Sequence, residues 1–198
     1  MRVMTHFLLW QLGFARAETQ TTEAERDCLA RQAAGKKRLV EIGVWHGVTT
    51  CRLRRAMSPE GVLFGVDPYP VGRLGFSAQW RIARSEVEKI SNGSVEWLRL
   101  TGVEAAQLYL SRYQEPVDFI FIDGDHTYDG LRHDWQAWSG VVEPGGIIAL
   151  HDSRSSATRR IDDAGSAVYT REVIMQDERF EPLETVDTLT VMRRKKSD

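Results

Sequence analysis

The sequence predicts an α/β protein built on a doubly wound, mostly parallel sheet. Short apolar segments alternate with helical patterns over most of the chain, and the last two apolar segments follow each other directly, as an antiparallel pair does. Two segments are apolar on both faces, Phe-Ile-Phe-Ile at 119–122 and Ile-Ile-Ala-Leu at 147–150. Such strands lie in the middle of a parallel sheet, whose ligands bind beyond the carboxyl ends of the strands. The sequences that follow them, Asp-Gly-Asp-His and His-Asp, are therefore the first candidates for a functional site.

Composition limits the classes of protein to which this chain can belong. The chain has 198 residues, 42% of them hydrophobic and 27% charged, as in a globular domain. The net charge of −2 argues against general nucleic-acid binding, and no apolar run approaches the ~18 residues of a membrane span, so we expect neither partner. Cys28 and Cys51 make no disulfide framework, which favours a reduced, cytoplasmic protein.

Residues 1–34 are expected to form a helical appendage to a domain of residues 35–198. The apolar start resembles a secretory signal, but polar residues such as His6 interrupt it, and we expect a short amphipathic helix packed on the domain. A second helix is expected after Thr22, because Thr22 and Glu25 have the spacing of a capping box. The apolar first helix could also pack on a second subunit, so the protein could be a homo-oligomer.

Turn residues bound each predicted element in the first part of the domain. The separators are the glycine turn 43–47, Ser-Pro-Glu-Gly at 58–61, a proline- and glycine-containing loop at 68–75 and Asn-Gly at 92–93. The elements predicted between them are strands at 39–42, 62–66 and 95–100 and helices at 49–57, 76–90 and 104–111.

Hydrophobic periodicity and apolar runs predict the elements in the second part of the domain. A fourth strand ends at Asp123, and Leu131, Trp135 and Trp138 then recur at i, i+4 and i+7 on one helix face. The remaining predicted elements are a fifth strand ending at His151, a helix near 168–176 and two strands at 180–186 and 189–193.

The turn after the first strand indicates a ligand. It reads Glu41-Ile-Gly43-Val-Trp-His-Gly47-Val-Thr49. Glycines let a ligand approach the backbone, and the following helix offers free N–H groups. The spacing differs from the Gly-x-Gly-x-x-Gly of dinucleotide-binding proteins. A carboxylate at Glu41 would repel a pyrophosphate but suits a ligand with an ammonium group.

The ends of the second and third strands indicate further parts of the same ligand. Asp67 ends the second strand, where a carboxylate can accept hydrogen bonds from both hydroxyls of a ribose. Gly102 follows the third strand and allows a close contact with adenine. An ammonium group near Glu41, a ribose near Asp67 and an adenine near Gly102 together describe S-adenosylmethionine.

The ordered motifs resemble those of class I S-adenosylmethionine-dependent methyltransferases over about residues 35–195. They are Glu41-x-Gly43-x-x-x-Gly47-x-Thr49, Asp67, Thr101-Gly102, Ile122-Asp123-Gly124-Asp125-His126 and Pro144-Gly145-Gly146. The chain looks closest to small-molecule O-methyltransferases related to macrocin methyltransferase and to cephalosporin-hydroxylase-type proteins. The resemblance implies a seven-stranded sheet in the order 3-2-1-4-5-7-6 with an antiparallel last pair.

The resemblance also implies roles for individual residues. The cofactor set comprises Glu41, Gly43, Gly47 and Thr49 for the methionine part, Asp67 for the ribose, Gly102 and Val103 for the adenine, and Asp123 at the end of the fourth strand. In the metal-dependent members, an acid ends strand four and an acidic pair ends strand five, positions that correspond here to Asp123 and to His151-Asp152. Oxygen ligands suit Mg²⁺, whereas an imidazole favours softer ions, so His151 could be a metal ligand, a base or a group that orients substrate.

Transfer to an alcohol also requires removal of a proton. Asp125 and His126 are the candidate catalytic residues. Asp125 could be the base or could form an Asx-turn, and His126 could cap the next helix or lie beside the cofactor. Farther along that helix, Asp134 and His133 are expected to be solvated, and His46 in the glycine turn is expected to face solvent.

Three functions follow, in order of preference. The first is an S-adenosylmethionine-dependent O-methyltransferase acting on a hydroxyl of a small molecule, for example a sugar of a secondary metabolite, with or without a divalent metal. The second is an NAD-dependent oxidoreductase, since Asp67 follows the glycine turn by some twenty residues. The third is a non-catalytic S-adenosylmethionine-binding protein, because His151 replaces an acid.

Overall fold

A seven-stranded sheet organises residues 3–196, the part of the chain that the computed structural model describes. The strands are β1 Arg38–Ile42, β2 Val62–Val66, β3 Ser94–Leu98, β4 Val117–Ile122, β5 Val142–Leu150, β6 Phe180–Val186 and β7 Leu189–Arg194. Their order is β3-β2-β1-β4-β5-β7-β6. Neighbours from β3 to β5 pair in parallel, and β7 pairs antiparallel with both β5 and β6. The predicted fold class and strand order are confirmed.

Helices cover both faces of the sheet. They are α1 Val3–Gln11, α2 Glu23–Ala33, α3 Val48–Ala56, α4 Ala78–Glu88, α5 Gly102–Arg112, α6 Tyr128–Trp138 and α7 Gly165–Glu172. On one face, Tyr109 of α5 and Trp138 of α6 are buried in a core shared with β1, β2, β4 and β5. On the other, Leu29 of α2 and Leu53 of α3 pack against alternate side chains of the same strands. Burial on both faces explains why β4 and β5 are continuously apolar.

Several predicted boundaries differ from the structure by a few residues, and two of the differences have a clear structural cause. β3 ends at Leu98 and not at Leu100, because Thr101 caps α5 through a capping box with Glu104 and the intervening residues lead into that cap. α7 begins at Gly165 and not at 168, because its start packs on the backbone of the α6 N-terminus: a Cβ at Gly165 would lie 2.1 Å from the Tyr128 nitrogen.

The N-terminal residues pack on the domain as two helices. Phe7 of α1 is buried against Ala78 and Ile82 of α4. α2 begins with the capping box predicted at Thr22 and Glu25. Every helix among residues 3–196 is too short or too polar to cross a membrane.

Candidate active site

A cavity of about 840 Å³ lies beyond the carboxyl ends of the strands. It is lined by residues that follow β1, β2, β3 and β4 and by residues of α6 and of the N-terminal segment. Its polar lining includes Glu18, Asp67, Thr101, Asp123, Asp125, His126 and Asp134. Parallel sheets bind ligands at this position, so the cavity is the candidate active site.

The glycine turn forms one wall of the cavity because of its backbone. Gly43 has φ 88°, and a Cβ at that position would lie 2.0 Å from the carbonyl oxygen of Asp123. Gly47 has φ 76° and would place a Cβ 2.8 Å from a methyl group of Val87. A side chain at either position would force neighbouring atoms apart.

Asp67 holds this turn from the end of β2. Its Oδ2 accepts hydrogen bonds from the backbone N–H groups of Val44, at 3.2 Å, and Trp45, at 2.9 Å. Its Oδ1 accepts one from Tyr69 N–H at 2.9 Å. Asp67 also lines the cavity, so its carboxylate is available at the ligand surface while it fixes the turn.

Glu41 lies beneath the same turn and is fully buried. Within residues 3–196, neither of its carboxylate oxygens has a well-aligned hydrogen-bond partner, and Glu41 does not itself line the cavity. Burial raises the pKa of Glu41 to about 8 against the opposing effect of the nearby Thr50 hydroxyl, and the carboxylates of Asp123 and Asp67 act in the same direction as burial. Without a cation nearby, this side chain is therefore protonated at neutral pH. Thr49, two positions after Gly47, does line the cavity.

The far end of the cavity lies beyond β3. Gly102 and Val103 line it at the start of α5, and Trp138 Nε1 donates to the Gly102 carbonyl at 2.8 Å, tying α6 to this point. The expectation that Asp134 is solvated was wrong: only 7% of it is exposed. A Cβ at Gly102 would lie 2.0 Å from Asp134 Oδ1, so only glycine leaves room for that carboxylate. His133 is exposed as expected.

Two histidines approach Asp123 at the other end. His151 Nδ1 lies 2.7 Å from Asp123 Oδ1, and His126 Nε2 lies 3.5 Å from the same oxygen. The second ring nitrogen of His151, Nε2, lies 3.3 Å from the carboxylate of Glu25 on α2. Burial alone would lower the pKa of His151, but the two carboxylates outweigh it and raise that pKa. His151 is thus a buried cation between two anions.

Asp125 and Asp152 each have a partner outside this cluster. Asp125 Oδ1 accepts the N–H of Thr127 at 2.9 Å, the Asx-turn considered as the alternative to a catalytic base. Asp152 has φ 48° and pairs with Arg159, whose Nη1 lies 2.6 Å from Oδ1. In the predicted metal set, His151 Nδ1 lies 2.7 Å from Asp123 Oδ1 and 3.8 Å from Asp152 Oδ1, the oxygen that is paired with Arg159. A different trio, Asp123, His126 and His151, brings one ligand atom each within 4.8 Å of the others.

The N-terminal segment covers the glycine turn. Glu18, Thr19 and Gln20 line the cavity, and the backbone N–H of Glu18 donates to His46 Nδ1 at 3.1 Å. His46 was expected to face solvent, but it is buried. His6 of α1 lies over it, with the two ring planes within 8° of parallel. Burial lowers the pKa of His46 to about 4, so the ring is neutral at physiological pH.

Sequence reasoning missed the site roles of Glu25 and Asp134. For Asp134 a signal existed: it follows Leu131 by three residues and precedes Trp138 by four, which places it on the buried side of α6. For Glu25, the capping-box spacing was read correctly. Its contact with His151, 126 positions later, has no signal in the local sequence.

Comparisons with known proteins agree with this geometry. Residues 40–153, more than half of the chain, match a family described as a methyltransferase domain. A protein of Mycobacterium sp. strain JLS that is named as an O-methyltransferase is 30% identical over 183 residues, which cover 85% of this chain and 74% of that protein.

Solved structures share the fold. The structure of the O-methyltransferase from Bacillus cereus in complex with SAH has a TM-score of 0.68 at 20% identity, covering 99% of this chain and 91% of that chain. The structure of TomG from Streptomyces achromogenes, an O-methyltransferase involved in tomaymycin synthesis and solved with SAM, has the same TM-score at 16% identity. The chain belongs to the class I S-adenosylmethionine-dependent O-methyltransferases.

Proposed function

We propose that the protein transfers the methyl group of S-adenosylmethionine to a hydroxyl of an uncharged or cationic small molecule, with His126 as the base. The observation that carries this proposal is the continuous cavity from Gly102 past Asp67 and Gly43 to Asp123 and His126. Because residues after β1, β2, β3 and β4 all line it, a ligand bound there can extend along the strand ends.

The methionine part of the cofactor is assigned to the glycine turn. Gly43 and Gly47 bring the backbone to the ligand, and Thr49 offers a hydroxyl at the start of α3. Glu41 lies beneath this wall, and neither of its oxygens has a well-aligned partner within residues 3–196, so a ligand ammonium group nearby would favour the ionised carboxylate. Asp67, already held by three backbone N–H groups, is assigned to the ribose.

His126 is assigned the proton transfer. It lines the cavity, and its Nε2 faces the Asp123 carboxylate, which can orient the ring. Nδ1 would then accept the proton of the acceptor hydroxyl, and bound S-adenosylmethionine would supply the methyl group to that oxygen and be left as a thioether. Asp125 is the weaker candidate, because its carboxylate is engaged by the Thr127 N–H.

A divalent metal does not suit the predicted set of Asp123, His151 and Asp152 as these side chains stand. Asp152 is paired with Arg159, and both ring nitrogens of His151 face carboxylates. The positive charge that a metal would place between the strand ends is supplied by the side chain of His151 itself. We therefore derive no step through a metal and assign His151 to holding Asp123 in place.

The charges that line the cavity limit the kinds of acceptor molecule that it can bind. The charged lining residues that the structure describes include the carboxylates of Glu18, Asp67, Asp123, Asp125 and Asp134, and no lysine or arginine lines the cavity within residues 3–196. An acceptor with a phosphate or carboxylate would meet this field unpaired. A sugar ring of a secondary metabolite suits it, because hydroxyls donate hydrogen bonds to carboxylates.

Calorimetric titration with S-adenosylhomocysteine, followed by labelled methyl transfer to a panel of sugars, phenols and phosphorylated compounds, tests the proposal. We expect binding, transfer to neutral or cationic hydroxyl compounds, and a loss of turnover of roughly 10²- to 10⁴-fold in His126→Gln with cofactor affinity retained. Absence of binding, or binding of NADH in its place, would overturn it.

A further inference from the structure

We infer that His6, Glu18 and His46 form a binding site for a zinc ion where the N-terminal residues cover the cavity. The three residues come from α1, from the segment between α1 and α2, and from the glycine turn after β1. The inference is independent of the proposed methyl transfer, since none of the three is assigned to bind the cofactor or to move a proton.

The first observation is that potential metal ligands from three separate parts of the chain meet at one place. One ligand atom from each of His6, Glu18 and His46 lies within 4.8 Å of the other two. His6 Nδ1 is 3.2 Å from Glu18 Oε1, and the two imidazole rings stack with their centroids 5.0 Å apart. Ligand atoms around a tetrahedral zinc ion lie about 3.3 Å apart, so side-chain movements of up to about 1.5 Å would close this set on an ion.

The second observation is a buried imidazole without an aligned partner. His6 is more than nine-tenths buried, and neither of its ring nitrogens has a well-aligned hydrogen-bond partner within residues 3–196. Phe7, the next residue, is buried against α4 and holds this side of α1 on the domain. Buried polar groups nearly always have a partner, and a metal ion between His6 and Glu18 would supply one.

The third observation is that the ring of His46 is held with a lone pair toward the same place. Its Nδ1 accepts the backbone N–H of Glu18 at 3.1 Å, and Trp45 stacks on the ring with centroids 4.7 Å apart. A neutral imidazole has one ring nitrogen that accepts and one that donates. A zinc ion would take the Nδ1 lone pair in place of the backbone N–H, and Nε2 would keep the ring proton.

The ligand types favour zinc over magnesium. Two imidazoles and one carboxylate form a three-ligand zinc site whose fourth position is open to water, whereas Mg²⁺ prefers six oxygen ligands. The Glu18 side chain is 47% exposed, so water can reach an ion bound to it. Among residues 3–196 a second group of potential ligands, Asp123, His126 and His151, suits zinc less, because His151 lies as a cation between two carboxylates.

An ion at this site would fasten the cover of the cavity. Glu18, Thr19 and Gln20 line the cavity, and His46 lies in the turn between Gly43 and Gly47. Bonds from one ion to Glu18 and to His46 would fix the segment between α1 and α2 against the glycine turn. The ion therefore has a structural role.

Calorimetric titration of the full chain with ZnCl₂, after treatment with a chelator and its removal, tests the inference. We expect one Zn²⁺ per chain, a higher thermal midpoint with Zn²⁺, and neither effect with Mg²⁺. His6→Gln and Glu18→Gln should each weaken zinc binding at least about 100-fold, because even the outer-shell partners of a metal site contribute about 10- to 100-fold. Glu18 is half exposed, so its variant tests the site even where His6→Gln unfolds α1. Glu23→Gln, at an exposed position of α2, is the control and should keep the full affinity.

Three outcomes would overturn the inference. The first is that the unmodified protein binds no zinc. The second is that zinc binding survives in Glu18→Gln but is lost in His126→Gln, which would place the ion at the strand ends. The third is that Glu23→Gln weakens zinc binding as much as Glu18→Gln does, which would show a general effect of negative charge and not a ligand.

Discussion

His151, directly after β5, lies 3.3 Å through Nε2 from the carboxylate of Glu25 on α2. Glu25 also accepts hydrogen bonds from the N–H groups of Thr22 and Thr188 and from the hydroxyl of Thr188. One buried carboxylate thus joins the helix that precedes the first strand to the reactive end of the sheet and to the β6–β7 turn. Residues that the sequence places in an appendage therefore contribute to the site.

Glu25→Gln should strongly destabilise the protein. The substitution leaves His151 buried without one of its two anions, and breaking a buried ion pair on one side typically costs about 3–5 kcal/mol. Chemical denaturation measures the free energy of unfolding. Glu23→Gln, two residues earlier on the same helix in exposed pairs with Arg26 and Arg52, is the matched control and should cost less than about 1 kcal/mol. Equal losses in the two variants would contradict a special role for Glu25.

The destabilisation by Glu25→Gln should depend on pH. His151 and the backbone and hydroxyl donors lower the pKa of Glu25 against the effect of burial, so its contribution is present above about pH 4.5 and is lost as pH falls. The pKa of His151 is raised, so its contribution is present below about pH 6.5 and is lost as pH rises. The difference in unfolding free energy between the two proteins should therefore be largest between about pH 4.5 and 6.5. A difference that is flat from pH 3 to pH 9 would exclude the ion pair.

The sheet could be predicted because its signals are local. Alternation of strands and helices, the doubly apolar β4 and β5, and the glycine turn at 43–47 each depend on a few adjacent residues. The side chains that face the cavity, Asp67 and Asp123 among them, follow from their places at strand ends.

Other features depend on tertiary packing that a local pattern does not carry. Stacking of His6 on His46 buries a ring expected in solvent, and it depends on how α1 lies across the turn. The pairing of Asp152 with Arg159 engages a carboxylate that strand position alone would leave open to the site, and it joins two residues of the loop after β5. The first error came from a contact between distant elements, and the second from a contact within one loop.

Glu41→Gln should change how stability depends on pH. The pKa of Glu41 in the folded protein, about 8, exceeds its ordinary value of 4.5, so the folded state loses stability as pH rises between these values. Glutamine removes that loss, which amounts to roughly 3 kcal/mol by pH 7 at about 1.4 kcal/mol per pKa unit. Relative to the unmodified protein, thermal stability of the ligand-free variant should increase from pH 5 to pH 8. If the difference in thermal stability between the two proteins is the same at every pH, Glu41 is not protonated in the folded protein.

The same residue should release a proton when the cofactor binds. An ammonium group near Glu41 favours its ionised form, so S-adenosylhomocysteine binding near pH 7 should expel a proton. Calorimetry in two buffers with different ionisation enthalpies detects that proton, and Glu41→Gln should not release it. Identical proton release by both proteins would place the ammonium group elsewhere.

Gly43→Ala should disrupt the first turn. Its Cβ would lie 2.0 Å from a backbone oxygen at φ 88°, so the chain must move, and we expect a loss of about 4 kcal/mol or more together with cofactor binding. Gly140→Ala is the control, because a Cβ there meets nothing within 4 Å. Chemical denaturation and calorimetric titration check both variants. Unimpaired binding in Gly43→Ala would show that the ligand does not approach this backbone.

Divalent metals should have no effect at the strand ends. Because His151 and Arg159 already pair with the strand-end carboxylates, excess chelator or added Mg²⁺ or Mn²⁺ should alter neither the thermal midpoint nor the affinity for S-adenosylhomocysteine in His6→Gln, which lacks the inferred zinc site. Asp152→Asn should likewise retain cofactor affinity. If one ion raises the thermal midpoint strongly and Asp123→Asn abolishes that increase, the protein binds a metal at Asp123.

The most direct test of the account is a crystal structure of the protein with S-adenosylhomocysteine. We predict the ribose hydroxyls on Asp67, the homocysteine part along Gly43 to Thr49 with its amine toward Glu41, and the adenine near Gly102 and Val103. A nucleoside bound outside this cavity, or lying in it with the base toward His126, would contradict the account.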